Sequence, residues 1–289
     1  MLLVLAIIGG GILLSRQGGE STNSQSTPTT ERAQTPSTVV PAGSGEEAAP
    51  TSDEIVPGVH ANSIVEIIAY CANGSGAGGS GTVFIDGNHV LTNAHVLRPD
   101  SDGGSDGCTA DDIEVRMISS IDRPTTITHR ATIAAMDERA DLAILRVEPI
   151  GASTVSLKPV RLGASPSAGA DLNIIGFPAI GGQTVTVSKG VVSGFVTIEG
   201  TRWIKTDASV SGGNSGGGAF TRDGSLIGVP TRASEGEDGN IVDCRKIVDT
   251  NGDGWIDDDD TCVPLGGFLN LLATMEEALA LAKSIGLTP

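Results

Sequence analysis

Residues 207–218 read Asp-Ala-Ser-Val-Ser-Gly-Gly-Asn-Ser-Gly-Gly-Gly, and how this stretch is understood decides the rest of the chain. Ser215 sits in a glycine-dense turn, Gly213-Asn214-Ser215-Gly216-Gly217. Glycine tolerates a left-handed backbone and lets a second chain segment approach closely. Amides flanking a serine in such a turn can converge on one point, where they would stabilise negative charge developing on an oxygen. The amides of Gly213 and Ser215, with Asn214 between them, are the candidates. Clusters of Gly, Ser and Asn are also the ordinary composition of a loop, so the turn needs partners elsewhere.

Two stretches supply them. Residues 90–97, Val-Leu-Thr-Asn-Ala-His-Val-Leu, are a β-type run that ends in His95. Residues 140–147, Ala-Asp-Leu-Ala-Ile-Leu-Arg-Val, open an apolar strand with Asp141. A histidine acting as general base needs a carboxylate to fix its tautomer and to stabilise the imidazolium. Asp137 and Glu138 crowd the same region, which leaves Asp137 as a second candidate acid. Thr92-Asn93-Ala94-His95, Asp141-Leu142-Ala143-Ile144-Leu145 and Gly213-Asn214-Ser215-Gly216-Gly217, in that order, resemble the three signature blocks of trypsin-like serine proteases. The similarity is greatest to the HtrA (Deg) branch and covers roughly residues 60–285.

That resemblance implies an all-β fold of two packed six-stranded antiparallel barrels, closed by a C-terminal helix. It implies a serine endopeptidase with Ser215 as nucleophile, His95 as general base and Asp141 as the orienting acid. The oxyanion hole would come from Gly213 and Ser215, with Asn214 a further contributor. Ser209 lies where trypsin-type pockets place their charge-selecting residue, and the strand carrying Gly228 and Val229 would line the same pocket. Ser209 is uncharged, so small or medium apolar side chains are expected in preference to Arg or Lys. Proteins or peptides would be the substrates, and the chemistry would need no cofactor. The competing reading is a catalytically inactive, protease-like calcium-binding interaction module. An esterase would share the chemistry.

The remainder of the chain fits around this domain. Lys and Arg number 18 against 35 Asp and Glu, a net charge of −17. No basic patch exists to neutralise phosphates, which argues against nucleic acid as a partner. Glycine is abundant, at 40 residues, and aromatics are scarce, which suits many short strands and turns. Residues 1–14 are apolar and uncharged, shorter than the ~20 residues of a membrane-spanning helix and without the basic start of a secretory signal. The segment 1–15 is read as a signal peptide or the end of a truncated membrane anchor. Residues 16–53, rich in Ser, Thr, Gln and Pro, cannot bury enough apolar surface to fold and are read as a disordered linker. Both readings put residues 54–289, the protease-like domain, outside the cytoplasm, secreted or tethered to a membrane.

Within that domain, strands are expected at 63–70, 82–85, 89–92, 113–118, 125–134 and 141–147, with the glycine-rich residues 73–81 as a turn. Asp86-Gly87-Asn88 makes a hairpin that delivers His95. After a Pro/Gly-rich connection, strands follow at 171–178, 184–195, 202–207, 219–220 and 225–229. A last strand at 265–269 precedes a helix from Thr274, with Glu277 completing a capping box. His60 and His129 are read as surface or local hydrogen-bonding groups. The residues after Ser215 leave no room for the PDZ domain common in the HtrA branch.

One stretch departs from the family. The insertion 234–263 contains Asp-Thr-Asn-Gly-Asp-Gly-Trp-Ile-Asp-Asp-Asp-Asp at 249–260. Asp249, Asn251 and Asp253 fill the first, third and fifth positions of a calcium loop, Gly254 makes its turn, and the Trp255 carbonyl, Asp257 and Asp260 complete the set. Asp260 replaces the usual final Glu and is one methylene shorter. Calcium is therefore expected here, ordering or stabilising the insertion. The four cysteines allow three pairings, among which the sequence does not choose. Sequential pairing, Cys71–Cys108 and Cys244–Cys262, is the simplest.

Overall fold

The computed structural model describes residues 54–98, 108–151, 156–178, 183–232, 244–245, 263–264 and 269–289 of the chain. The leader 1–15, the linker 16–53, the calcium loop 249–260 and the Cys244–Cys262 pairing lie outside the described residues.

The described chain opens with a hairpin, β1 (Glu54–Val56) and β2 (Val59–His60), turned by Pro57-Gly58. Six strands then close the first barrel: β3 (Ile64–Tyr70), β4 (Gly76–Val83), β5 (His89–Thr92), β6 (Asp112–Met117), β7 (Thr126–Asp137) and β8 (Leu142–Pro149), in the order β3-β4-β5-β8-β7-β6. A one-turn helix, His95–Leu97, follows β5. After β9 (Arg161–Leu162) come β10 (Asp171–Gly176), β11 (Thr186–Ile198), β12 (Thr201–Thr206), β13 (Gly218–Phe220) and β14 (Ser225–Arg232). Two short strands in the insertion, β15 (Cys244–Arg245) and β16 (Val263–Pro264), pair antiparallel and bring the ends of residues 246–262 together. The strand β17 (Asn270–Thr274) leads into helix α1 (Met275–Ser284). The order β13-β10-β11-β12-β17-β14, closed by β13–β14 pairing, is the second six-stranded barrel, and β9 adds to β14 in parallel.

Side chains alternating along the strands build three cores. Val65, Ile67 and Ala69 of β3 and Ala143, Leu145 and Val147 of β8 fill the first barrel. Leu172, Ile174, Ile204 and Leu272 fill the second. The opposite faces, with Ile64, Leu142 and Ile144 from one barrel and Trp203, Phe220 and Val229 from the other, share a third cluster that joins the two. Each fully buried aliphatic contributes about 1.5–3 kcal/mol. Met275, Ala278, Leu281 and Ala282 of α1 pack on this seam.

The two-barrel all-β fold with a closing helix is as expected, with local corrections. Residues 76–81, expected within a turn, belong to strand β4; glycine is needed there because a Cβ on Gly81 would lie 2.5 Å from a Val90 methyl. The last strand is Asn270–Thr274, where Leu272 and Ala273 are fully buried; of the expected 265–269 only Leu269 is described, and it is exposed and outside the strand. Thr274 caps α1 as expected, accepting from the Glu277 amide at 3.4 Å. The Glu277 carboxylate does not complete a capping box; it binds Arg139 at 2.8 Å instead. His129 is buried on β7 and, of its two expected roles, takes the local one, with Nδ1 2.9 Å from the Thr128 hydroxyl. Cys71 and Cys108 form a disulfide that ties the end of β3 to the segment after the His95 turn.

Candidate active site

His95 follows β5 directly, and the burial of Val96 and Leu97 anchors its turn in the first barrel. Asp141 stands at the corner between β7 and β8 with φ +49°. This left-handed backbone is uncommon for a residue with a side chain, and Asp and Asn tolerate it best. The corner is built by its neighbours. Asp137 Oδ1 accepts from the amides of Arg139 at 2.9 Å and Ala140 at 3.2 Å. Glu138 pairs with Arg98. Arg139 reaches Glu277 on α1 and, at 2.5 Å, the Thr201 hydroxyl on β12. Of the crowded acids, only Asp141 turns towards His95.

It does so with both oxygens. Oδ2 lies 2.7 Å from His95 Nδ1, and Oδ1 accepts from the His95 backbone amide at 2.9 Å. The Asp141 side chain is 12% exposed and that of His95 39%, so the carboxylate is enclosed while the imidazole opens to solvent. A carboxylate only accepts, so Nδ1 carries the proton and Nε2 is left as an acceptor. Asn93 braces the pair from behind: its Nδ2 donates to the Asp141 carbonyl at 2.6 Å and to the Thr231 hydroxyl of β14 at 3.0 Å.

The Ser215 turn comes from the second barrel. Gly213 has φ +98° and Gly216 φ +83°. Gly216 rests on the strand that leads to His95; a Cβ there would lie 2.2 Å from Thr92 Oγ1 and 2.3 Å from the Ser80 carbonyl. The turn is held by hydrogen bonds from Asn214 N to Ser211 O, Gly217 N to Asn214 O, Gly216 N to Pro230 O and Ser80 N to Ser215 O, at 2.8–3.0 Å. Among the described residues, the amides of Gly213 and Ser215 donate to nothing, and the Ser215 hydroxyl makes no hydrogen bond, to His95 Nε2 included. Contacts of this last kind commonly tighten only when substrate binds. The Asn214 amide, expected to help hold an oxyanion, is committed to Ser211.

Ser209 is exposed, its carbonyl accepting from the Ser188 hydroxyl at 2.7 Å. Gly228 and Val229 do not line a cleft. Both pair within the closed barrel, Gly228 with Ala219 and Thr274 and Val229 with Ala273. A Cβ on Gly228 would point at Ile204 and Leu272, and Val229 is fully buried. A register shift between Pro230 and Arg232 sets Thr231 in a bulge of β14, where its hydroxyl accepts from Asn93 behind the His95–Asp141 pair. Among the described residues, no group of three His, Cys, Asp or Glu side chains is placed to hold a metal. Ser80, Asn93 and Thr231 carried no signal of their own in the sequence. Asn93 lay inside a signature block without a role, and Ser80 lay in a run expected to be a turn.

Comparison with known proteins bears on the domain as a whole. The sequence profile of the trypsin-like peptidase domain matches residues 79–229. Protease Do-like 4, mitochondrial, of Arabidopsis thaliana is 36% identical over 155 residues, which cover 50% of this chain and 26% of that protein. Protease Do-like 1, chloroplastic, of the same plant is 31% identical over 163 residues, 53% of this chain and 32% of that protein. The chain thus spans about a quarter to a third of the length of these curated relatives. Among solved structures, the serine endoprotease from Yersinia pestis superposes with a TM-score of 0.53 at 22% identity, over 78% of this chain and 63% of that one. A protease from M. tuberculosis in its active form gives 0.53 at 21%, over 79% and 83%.

Proposed function

The chain belongs to the trypsin-like peptidase domain family, and from that membership we propose that it is a serine endopeptidase cleaving peptide bonds through a covalent acyl-enzyme. The observation that carries this reading is the two-point grip of Asp141 on His95, at 2.7 and 2.9 Å, beside a serine turn with two uncommitted amides. Ser215 Oγ attacks the carbonyl carbon while His95 Nε2 takes the hydroxyl proton. Asp141 holds the imidazole in the accepting tautomer and stabilises it once charged. The Gly213 and Ser215 amides stabilise the oxyanion, each worth on the order of 3 kcal/mol of barrier. His95 then gives the proton to the leaving amine, and water, activated by the same nitrogen, releases the acyl group.

With no charge at Ser209, the primary pocket prefers small or medium apolar side chains. The all-oxygen set Asp249, Asn251, Asp253, the Trp255 carbonyl, Asp257 and Asp260 suits a hard cation, and calcium binding there belongs to the same proposal, apart from the chemistry. An extracytoplasmic, membrane-tethered or secreted location is supported by the Cys71–Cys108 disulfide. Labelling by a fluorophosphonate, together with casein hydrolysis, tests the central reading. The parent is expected to label at Ser215 and cleave, and Ser215→Ala to do neither. Equal cleavage by that variant would refute it.

A further inference from the structure

One residue of the first barrel reaches both sides of the Ser215 turn. Ser80, on β4, is fully buried. Its hydroxyl donates to the Gly213 carbonyl at 2.6 Å and accepts from the Phe177 amide at 2.8 Å. Its own amide donates to the Ser215 carbonyl at 2.8 Å. Its carbonyl accepts from the Thr92 hydroxyl at 2.7 Å, on the strand that leads to His95. The hydroxyl's role follows from its partners: the Phe177 amide can only donate and the Gly213 carbonyl can only accept. A hydroxyl does both, and its single proton is committed to Gly213.

The consequence lies in the peptide planes. The Ser215 amide belongs to the peptide joining Asn214 and Ser215. The plane before it is held at Gly213 O by the Ser80 hydroxyl and at Asn214 N by Ser211. The plane after it is held at Ser215 O by the Ser80 amide and at Gly216 N by Pro230. The peptide between them is itself held at Asn214 O by the Gly217 amide at 3.0 Å, so with both neighbouring planes fixed the direction of the Ser215 amide is fixed as well. The Gly213 amide, one plane earlier, is held from one side.

Resting on the peptidase reading above, we propose that Ser80 is a positioning residue that aims the two oxyanion-hole amides. It touches no substrate; it acts through the Gly213 and Ser215 peptides. Gly176 is part of the same device. A Cβ there would lie 2.8 Å from the Ser80 hydroxyl and 3.1 Å from Asn214 Oδ1, so any side chain at 176 displaces the hydroxyl from Gly213.

The test compares the full-length parent, Ser80→Ala and Gly176→Ala. Active sites are counted by fluorophosphonate titration carried to completion, and kcat and KM for a peptide ester and amide are expressed per titrated site. Inhibition by a peptide aldehyde, whose hemiacetal places an oxyanion in the hole, is measured alongside. A misplacement of ~1 Å is worth about 100-fold in rate. Both variants are therefore expected to lose about 10- to 100-fold in kcat per site, with KM changed by less than about 3-fold. Aldehyde affinity should fall by the same factor as kcat/KM, and the pH midpoint set by His95 should not move. If either variant turns over at the parental rate per site, or all lost activity reflects fewer titratable sites, Ser80 is only structural and the proposal is overturned. A parent that neither labels nor cleaves is a different result: it removes the peptidase reading itself.

Discussion

Asp141→Asn puts the His95 grip under the sharpest test. The carboxylate faces two N–H groups of one residue, the amide at 2.9 Å and Nδ1 at 2.7 Å. An asparagine has one oxygen to offer, so its NH2 must face one of them. Facing the backbone amide, it sets two donors against each other in a mostly buried place, at a cost of about 1–3 kcal/mol. Facing Nδ1, it forces that nitrogen to accept, and the proton moves to Nε2. The backbone amide has no alternative state and the imidazole has one, so the second arrangement wins. His95 then presents a proton to Ser215 where an acceptor is needed. Restoring the productive tautomer costs about 1–3 kcal/mol, and the lost charge-assisted bond to the imidazolium removes about 2–3 kcal/mol more. The sum, roughly 3–6 kcal/mol, corresponds to about 10²- to 10⁴-fold in rate. The assay is kcat/KM for a peptide amide at neutral pH, with thermal unfolding recorded on the same samples. Asp137→Asn serves as the control, since its oxygen can still accept from Arg139 and Ala140, and it should stay within about threefold of the parent. An Asp141→Asn enzyme within tenfold of the parent, or an Asp137→Asn enzyme as impaired as it, would sink the assignment of the acid.

Gly216→Ala places a methyl 2.2 Å from Thr92 Oγ1 at φ +83°; it should lower kcat/KM by about 100-fold or more, read in the same peptide assay. The double variant Cys71→Ser, Cys108→Ser opens a cross-link spanning 37 residues, and urea unfolding should show a loss on the order of 3–4 kcal/mol. Burial holds the His129 pKa below its ordinary 6.5, so between that lowered value and 6.5 the unfolded chain binds more protons, and stability is lost as pH falls through this window. Burial raises Glu66 above its ordinary 4.5 against the opposing Thr125 and Arg116, so stability instead falls as pH rises from 4.5 through the raised value. His129→Gln should flatten the first slope and Glu66→Gln the second in denaturant midpoints measured from pH 4 to 8.

What could be read without coordinates was local chemistry with strand periodicity around it. The hairpin before His95, the apolar run after Asp141 and the glycines around Ser215 each state their conformation within a few residues. What could not be read depends on the other side of an interface. The run Gly76–Val83 has the composition of a turn and becomes a strand because Val90 and Val96 occupy the space its side chains would need. Ser80 gains its meaning only from Phe177 and Gly213, far along the chain. Gly228 and Val229 are placed at the pocket only by the resemblance, in which the strand after the nucleophile loop lines it. Pairing with β13 and β17 buries both on opposite faces, Gly228 towards the barrel core and Val229 in the seam. Leu271-Leu272-Ala273 reads as the approach to a helix, yet Thr274 is at once the last residue of β17 and the cap of α1. Glu277 had a helix-capping role by spacing and lost it to Arg139, a longer-range and charged partner.

The cross-links between barrels explain why the site needs the whole domain. The first barrel alone assembles half of it, since His95, Asp141 and the corner that presents Asp141 all belong to it. It cannot hold Ser215, which is carried by the second. Polar ties cross the seam, among them Ser80 to Gly213 and Ser215, Asn93 to Thr231, and Arg139 to Thr201 and Glu277. Each has one end on a segment that carries His95 or Asp141, or on the strand beside them. Hydrogen bonds contribute only about 1 kcal/mol each, net, so they cannot by themselves bring the barrels together. That attraction comes from the shared cluster of Leu142, Ile144, Trp203 and Phe220, of which Leu142 directly follows Asp141 in the chain. Apolar burial thus sets the distance between the halves, and the polar ties set the angle at which Ser215 meets His95. A cavity cut at Leu142 would act on both, because the residue that fills the seam is covalently next to Asp141, which holds His95.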